Sequence, residues 1–285
     1  MFAEALKLAF ISHTTFYNIQ RKVLWPVINY VWMQHRDSVH KVLQGRPLEL
    51  LGDARCDSPG YSAKFCTYTL MAGNGLVVDY ELVHVSQTKN NSGAMEKAGL
   101  QCLLDRSLKD GMSIVKLATD RSPQVATLMR NKYTGINHQY DVWHFVKSIQ
   151  KKLAKISKKK DTAELVAWIP SIANHIWWCS ATCQRNTTLL KDKYLSLLQH
   201  ITNRHTWSCM AILRGSEHEP LTAEQKKKKK WLKQGSPALE SLRKVFEEKK
   251  RLNDLSKLTH FCHTGALENL HSLMTMMCPK RSHFI

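Results

Sequence analysis

Residues 47–56, PLELLGDARC, decide how this chain is read. Before them, apolar residues recur at helical spacing. From Pro47 the pattern becomes that of a strand, and PLELLGD delivers Asp53 at its end. After a turn at Ser58, Pro59 and Gly60, residues 65–71 are rich in aromatic and β-branched side chains. AGNG at 72–75 marks a second turn. Residues 76–85 then alternate, with Val78, Tyr80 and Leu82 on one face and Asp79 and Glu81 on the other. The expectation is a three-stranded antiparallel meander.

Toward the C-terminus, a helix is predicted over 92–109, with Leu100, Leu103, Leu104 and Leu108 as its buried stripe and Gly111 beyond its end. SIVKLAT (113–119) is a short buried strand that runs straight into Asp120. A helix over 122–132 and a strand over 136–140 follow. Val142, Phe145, Val146, Ile149, Leu153 and Ile156 then define an amphipathic helix whose other face carries Lys147, Lys151, Lys152 and Lys155. The order is βββαβαβα. Generic α/β folds begin βαβ, so an opening meander followed by two α-linked parallel strands indicates a ribonuclease-H-like (RNase H-like) α/β core over 46–159. Residues 160–258 break the pattern: they read as a helical insertion rich in tryptophan (Trp168, Trp177, Trp178, Trp207, Trp231), with a loop near Gly215 to Pro220. A last helix is expected over 266–277, within a closing segment 259–285.

Toward the N-terminus, residues 1–45 read as a helical segment. Ala3, Leu6 and Phe10 share a helical face, Ser12, His13 and Thr14 form a polar break, and Phe16, Ile19 and Val23 resume the period. Ser12 or Thr14 is placed to cap the second helix, and Pro26 to limit or kink it. The pair reads either as a plain helical hairpin or as the remnant of a helix-turn-helix, with Tyr17, Gln20, Arg21 and Lys22 facing DNA.

Forty-two Lys and Arg against 23 acids give a formal charge of +19, and the charge is clustered, which points to a polyanionic partner, DNA first. No apolar run is long enough to span a bilayer, and Glu4 and Lys7 exclude a secretory signal at the start, so no membrane partner is expected. Eight scattered cysteines fit a reducing, intracellular compartment. The lysine-rich runs at 147–160 and 226–230 are compatible with nuclear localisation.

Phosphoryl transfer on DNA needs two divalent ions held by a few carboxylates. In the predicted topology the first strand and the fourth strand beside it each supply one Asp, and a third acid comes from a downstream helix. Asp53 and Asp120 stand at those two strand positions. Asp57 is the rival for the first. It precedes Ser-Pro-Gly and looks like a turn former, so Asp53 is preferred.

The blocks GDARCDSPGYSAKFCTYTL, ATDRSPQV, HQYDVWHFVKSIQKKL, NHIWWCSATC and HTGALENLHSL, in this order, resemble a group of eukaryotic transposase-derived proteins similar to Kolobok-type and other cut-and-paste DDE transposases. The resemblance runs from about residue 10 to the end. It implies that Asp53, Asp120 and Glu268 are the catalytic acids, holding Mg2+ or Mn2+ for DNA strand cleavage and strand transfer. It implies also that Asp141-x2-His144 matches a signature that follows the second Asp in such families. From the residues alone, that pair reads equally as a helix cap with a packed histidine. The lysines at 147, 151, 152 and 155, with Arg21 and Lys22, are the expected phosphate contacts. The alternative is a catalytically inactive, truncated or domesticated relative that binds DNA or acts as a scaffold. A homo-oligomer is a candidate assembly, and no small-molecule substrate is indicated.

His175, Cys179 and Cys183 recur every four residues on one helix face, with His200 and His205 further on. Cys179, Cys183, His200 and His205 have spacing near that of a structural Zn2+ site, or are core residues beside the tryptophans.

Overall fold

The computed structural model describes residues 11–280. Its chain opens with one uninterrupted helical rod: α1 (His13–Ile19), a π-helical turn (Gln20–Leu24) and α2 (Trp25–Leu43). Ser12 caps it, its Oγ accepting from the Thr15 N–H at 3.1 Å. Pro26 does not end the rod. It sits just after the π-helical turn, where the wider backbone spacing makes room for its ring and missing N–H. The other N-terminal helix expected from the sequence, around Ala3 to Phe10, lies outside the described residues. Arg21 and Lys22 are exposed on the π-helical turn. Among the described residues, the rod meets the rest of the protein from Trp32 onward: Trp32 packs on Tyr80, and Val39 and Leu43 are buried.

The protein is α/β, built on a mixed five-stranded sheet in the order β3-β2-β1-β4-β5. β1 (Pro47–Cys56), β2 (Phe65–Ala72) and β3 (Val77–His84) are antiparallel neighbours, while β4 (Ser113–Thr119) and β5 (Asn137–Tyr140) run parallel to β1. β1 extends past its apolar run. Asp53 to Cys56 continue pairing with Thr69 to Cys66, so Asp53 lies within the strand rather than at its end. The physical reason is that β2 offers ladder partners to backbone groups whatever their side chains.

β3 departs from the expected alternation. Met71 pairs with Val77 but Leu70 pairs with Asp79, so Val78 is an extra, bulged residue. Beyond the bulge the faces swap: Asp79 and Val83 turn inward and Tyr80 and Leu82 are exposed. The buried Asp79 is held by Arg106, whose Nε donates to Oδ2 at 2.7 Å. Arg106 Nη1 reaches Glu81 at 2.9 Å.

Two glycines let a tyrosine lie across the middle of the sheet. A Cβ on Gly52 would stand 2.7 Å from the Tyr68 hydroxyl, and one on Gly99 would stand 2.8 Å from the Tyr68 Cβ. Both are closer than packed atoms approach.

α3 (Met95–Lys109) and α4 (Pro123–Lys132) pack with α2 against the sheet, around Leu50, Tyr68, Leu70, Leu103 and Leu117. α5 (Val142–Ile156) belongs to a second core. Its Phe145, Val146 and Ile149 join Ile176, Tyr194 and Phe246 of α6 (Ile169–Thr182), α7 (Thr187–His200) and α9 (Pro237–Phe246). The remaining α-helices among the described residues are α8 (Ala223–Lys228), α10 (Lys249–Asp254) and α11 (Gly265–Met277). The segment 160–258 holds no strand, but it is less helical than expected. Its loop runs from 201 to 222, with one isolated bridge between Thr206 and Gly215.

Candidate active site

Strand register brings the two predicted aspartates together and adds a third. In the parallel ladders Leu51 pairs with Ala118 and Thr119 pairs with Tyr140. Counting on, Asp53 and Asp120 each lie two residues past the first pair, and Asp120 and Asp141 each one past the second. The three therefore stand in one row across β1, β4 and the end of β5. Asp57 is outside it. Its N–H donates to the Phe65 carbonyl at 3.0 Å and its Oδ1 accepts from the Lys64 N–H at 3.1 Å, closing the β1–β2 turn.

Asp141 caps α5, its Oδ1 accepting from the Trp143 N–H at 2.7 Å. Its Oδ2 collects three donors: His144 Nδ1 at 2.8 Å, Thr264 Oγ1 at 2.5 Å and the Thr264 N–H at 3.3 Å. His144, one turn into α5, is thereby aimed at the row. Its Nδ1 is 2.7 Å from Asp120 Oδ1 and its Nε2 is 3.4 Å from Glu268 Oε1. The two readings of this pair thus coincide, because the cap is also what points the histidine.

α11 lies across β1 and supplies the other wall. Glu268 and His271 are one turn apart on a single helix face. Glu268 meets His144, while His271 Nδ1 is 3.2 Å from Asp53 Oδ2 and its Nε2 is 3.5 Å from Thr69 Oγ1. Arg55 of β1 ties down the far end of the helix, donating to Thr275 Oγ1 at 3.1 Å and to the Cys278 carbonyl. Glu240 and Glu247 face Arg243 of α9 at 3.9 and 3.0 Å.

The electrostatics follow from crowding. Burial pushes the Asp120 carboxyl above its ordinary range; His144 pulls it back and Asp53 pushes it further up. Burial opposes charge on His144, but its contacts with Asp120 and Asp141 outweigh this and hold its pKa at about 10. An imidazolium therefore sits among the carboxylates at neutral pH. Its single Nδ1–H is directed at Asp141, so the buried Asp120 Oδ1 has no aligned donor of its own.

Glu96, in the first turn of α3, is a further carboxyl near the row, and no spacing in the sequence marks it. Burial raises its pKa to about 7, Ser122 opposing and Asp120 and Asp53 adding to the rise. His271 was also overlooked, although Glu268-x2-His271 is a same-face spacing that marks it.

Of the basic residues, Lys147, Lys151 and Lys155 follow His144 along one exposed stripe of α5. Lys147 Nζ lies over the Trp143 ring at 3.9 Å, and Lys152 is engaged by Glu248 at 2.7 Å.

The four-residue zinc set does not assemble. Cys179 is buried in the core around α6, and the Cys183 thiol donates to the carbonyls of Ser180 and Thr259 at 3.2 and 3.4 Å. A helix that buries an apolar face carries its cysteines into the core with it. His175 stays apart from them, its Nε2–H donating to the Lys193 carbonyl at 2.8 Å. His200 and His205 meet His218 instead.

No helix among the described residues is long and apolar enough to cross a membrane. No protein-family model matches the chain and no curated protein matches it, so its chemistry is read from the geometry of the site.

Proposed function

We propose that the chain carries an RNase H-like core that performs metal-dependent phosphoryl transfer on DNA, in the manner of a DDE transposase. The observation that carries this reading is the register of Asp53 and Asp120 on adjacent parallel strands, with Glu268 of α11 against His144, the histidine that touches Asp120. The strand order, with the meander on one side of β1 and the α-linked strands on the other, supports the same reading.

The residues fit Mg2+ or Mn2+. The donors are carboxylate oxygens, which such hard ions prefer, and Asp120 Oδ1 is a buried oxygen whose one near donor, His144 Nδ1, is shared with Asp141. Asp53, Asp120 and Glu268 would hold the metal. When bound, the ions activate the attacking oxygen and stabilise the leaving one. His144 is a positioning residue: it spaces Asp120 from Glu268 and neutralises part of their charge. His271 orients Asp53, and Asp141 with Thr264 orients His144. The cationic stripe Lys147, Lys151 and Lys155 begins one turn from His144, so a phosphate backbone lying along it leads into the site.

The test is nicking of supercoiled DNA in Mn2+ by the wild type, Asp120→Asn and Glu268→Gln. The expected result is activity in the wild type alone, abolished by chelator, with DNA retention unchanged in all three. DNA retention without nicking in any of them would make this a DNA-binding protein with no turnover. Equal nicking by all three would overturn the assignment of the acids.

A further inference from the structure

We infer that His200, His205 and His218 form a binding site for one Zn2+-class ion, separate from the carboxylate row. His200 ends α7, and the other two come from the irregular stretch 201–222. Their rings stand nearly perpendicular in every pairing, with centroids 4.9, 5.2 and 5.2 Å apart. One ring nitrogen from each lies within 4.8 Å of the other two. His200 Nε2 and His218 Nε2 face each other at 3.0 Å. Two tetrahedral ligands with Zn–N bonds of about 2.0–2.1 Å stand roughly 3.3 Å apart, so an ion enters with small ring movements.

On His205 and His218 the outward nitrogens are already held as a metal site requires. His218 Nδ1 donates to the Glu219 carbonyl at 2.6 Å, which leaves its Nε2 with a lone pair. His205 has Ser216 Oγ 3.2 Å from Nδ1 and Asn203 Oδ1 3.1 Å from Nε2, so whichever nitrogen binds, the other is oriented. An all-imidazole set prefers a borderline ion to Mg2+.

The backbone here gives the ion a task. A stretch this long with a single bridge is costly to close and uncommon inside a packed domain. It is drawn tight where the histidines sit: Asn203 has φ +62°, and a Cβ on Gly215 would stand 2.8 Å from the His205 carbonyl oxygen. A metal ion joining positions 205 and 218 to the end of α7 staples the stretch. Three protein ligands leave one tetrahedral position. His200 and His218 line a cavity of about 820 Å³ walled by Trp168, Trp178 and Trp207, and from it a water or a small anion completes the coordination.

The experiment loads chelator-stripped full chain with Zn2+, removes the excess by gel filtration and measures retained zinc by atomic emission. One zinc per chain is expected in the wild type, in Cys179→Ser/Cys183→Ser and in Asp120→Asn/Glu268→Gln. His218→Ala should lose it and His218→Cys should recover it. Zinc should also raise the thermal midpoint of the wild type. Co2+ loading of the wild type, which needs no variant, should give tetrahedral d–d bands without a thiolate charge-transfer band. Failure to retain zinc, retention by His218→Ala, or a thiolate band would each overturn the site. Loss of zinc in the Asp120→Asn/Glu268→Gln protein would move the ion to the carboxylates.

Discussion

Among the described residues, the carboxylate row and the histidine cluster are the two places where metal-ligating side chains gather, and they are built in opposite ways. The row stands on ladder register: Asp53, Asp120 and Asp141 are neighbours because the strands below them are paired. The histidines stand on the end of a helix and an irregular loop, where no regular element forces them together. Register set by remote backbone and core pairing can therefore impose like-charge crowding that the acids alone would never choose. The crowding is offset locally, by the His144 imidazolium and by the hydrogen-bond donors of Thr264. The grouping of the histidines depends instead on contacts within the loop.

The largest effect that separates the two is on turnover. Asp120→Asn should reduce Mn2+-dependent nicking on the order of 100-fold or more while leaving DNA retention intact. Unchanged nicking would remove the functional half of the comparison.

Crowding itself is tested by Glu96→Gln. The folded-state pKa of Glu96, about 7, lies above its ordinary 4.5. A raised carboxyl favours folding fully at low pH and loses that contribution as pH climbs past 4.5 and through 7. At pH 8 the buried charge costs on the order of 3 kcal/mol, which Gln removes. In chelator, the variant should melt higher than the wild type at pH 8 and equally at pH 4. A gap that does not change with pH would mean that the carboxyl is not crowded.

Rigidity of the row's support is tested by Gly52→Ala. The new Cβ meets the Tyr68 hydroxyl at 2.7 Å, so a loss of about 1–3 kcal/mol is expected in denaturant unfolding. Gly135→Ala, with nothing within 4 Å, is the control. Equal stability in the two would show that Tyr68 swings aside freely.

The smallest effects belong to the lysines beside the row. Lys151→Gln or Lys155→Gln should each lower the slope of log affinity for DNA against log salt by about 0.9. Lys152→Gln should lower it less, since Glu248 already holds that charge. Three equal changes would place Lys152 on the DNA as well.

Much of the fold was legible. The meander, the strand SIVKLAT and the amphipathic helix after Asp141 each announce themselves by period or composition. The bulge at Val78 was not, since a single extra residue in a strand leaves no mark on composition yet inverts every face beyond it. At the site, Asp53 and Asp120 were readable because each follows an apolar run. Glu96 was hidden because a glutamate in a first helical turn is ordinary wherever it occurs.

Local pattern determined which segments became strands and helices, since period and capping act over a few residues. It also put Asp120 at the end of β4 and a cap at Asp141. Tertiary structure alone decided that Glu268 meets His144, that His271 meets Asp53, and that His218 rather than two cysteines joins His200 and His205. Those partners are separated by long stretches of chain or by an irregular loop. Their meeting depends on how α11 crosses β1 and how the stretch 201–222 folds back, which no short-range periodicity encodes.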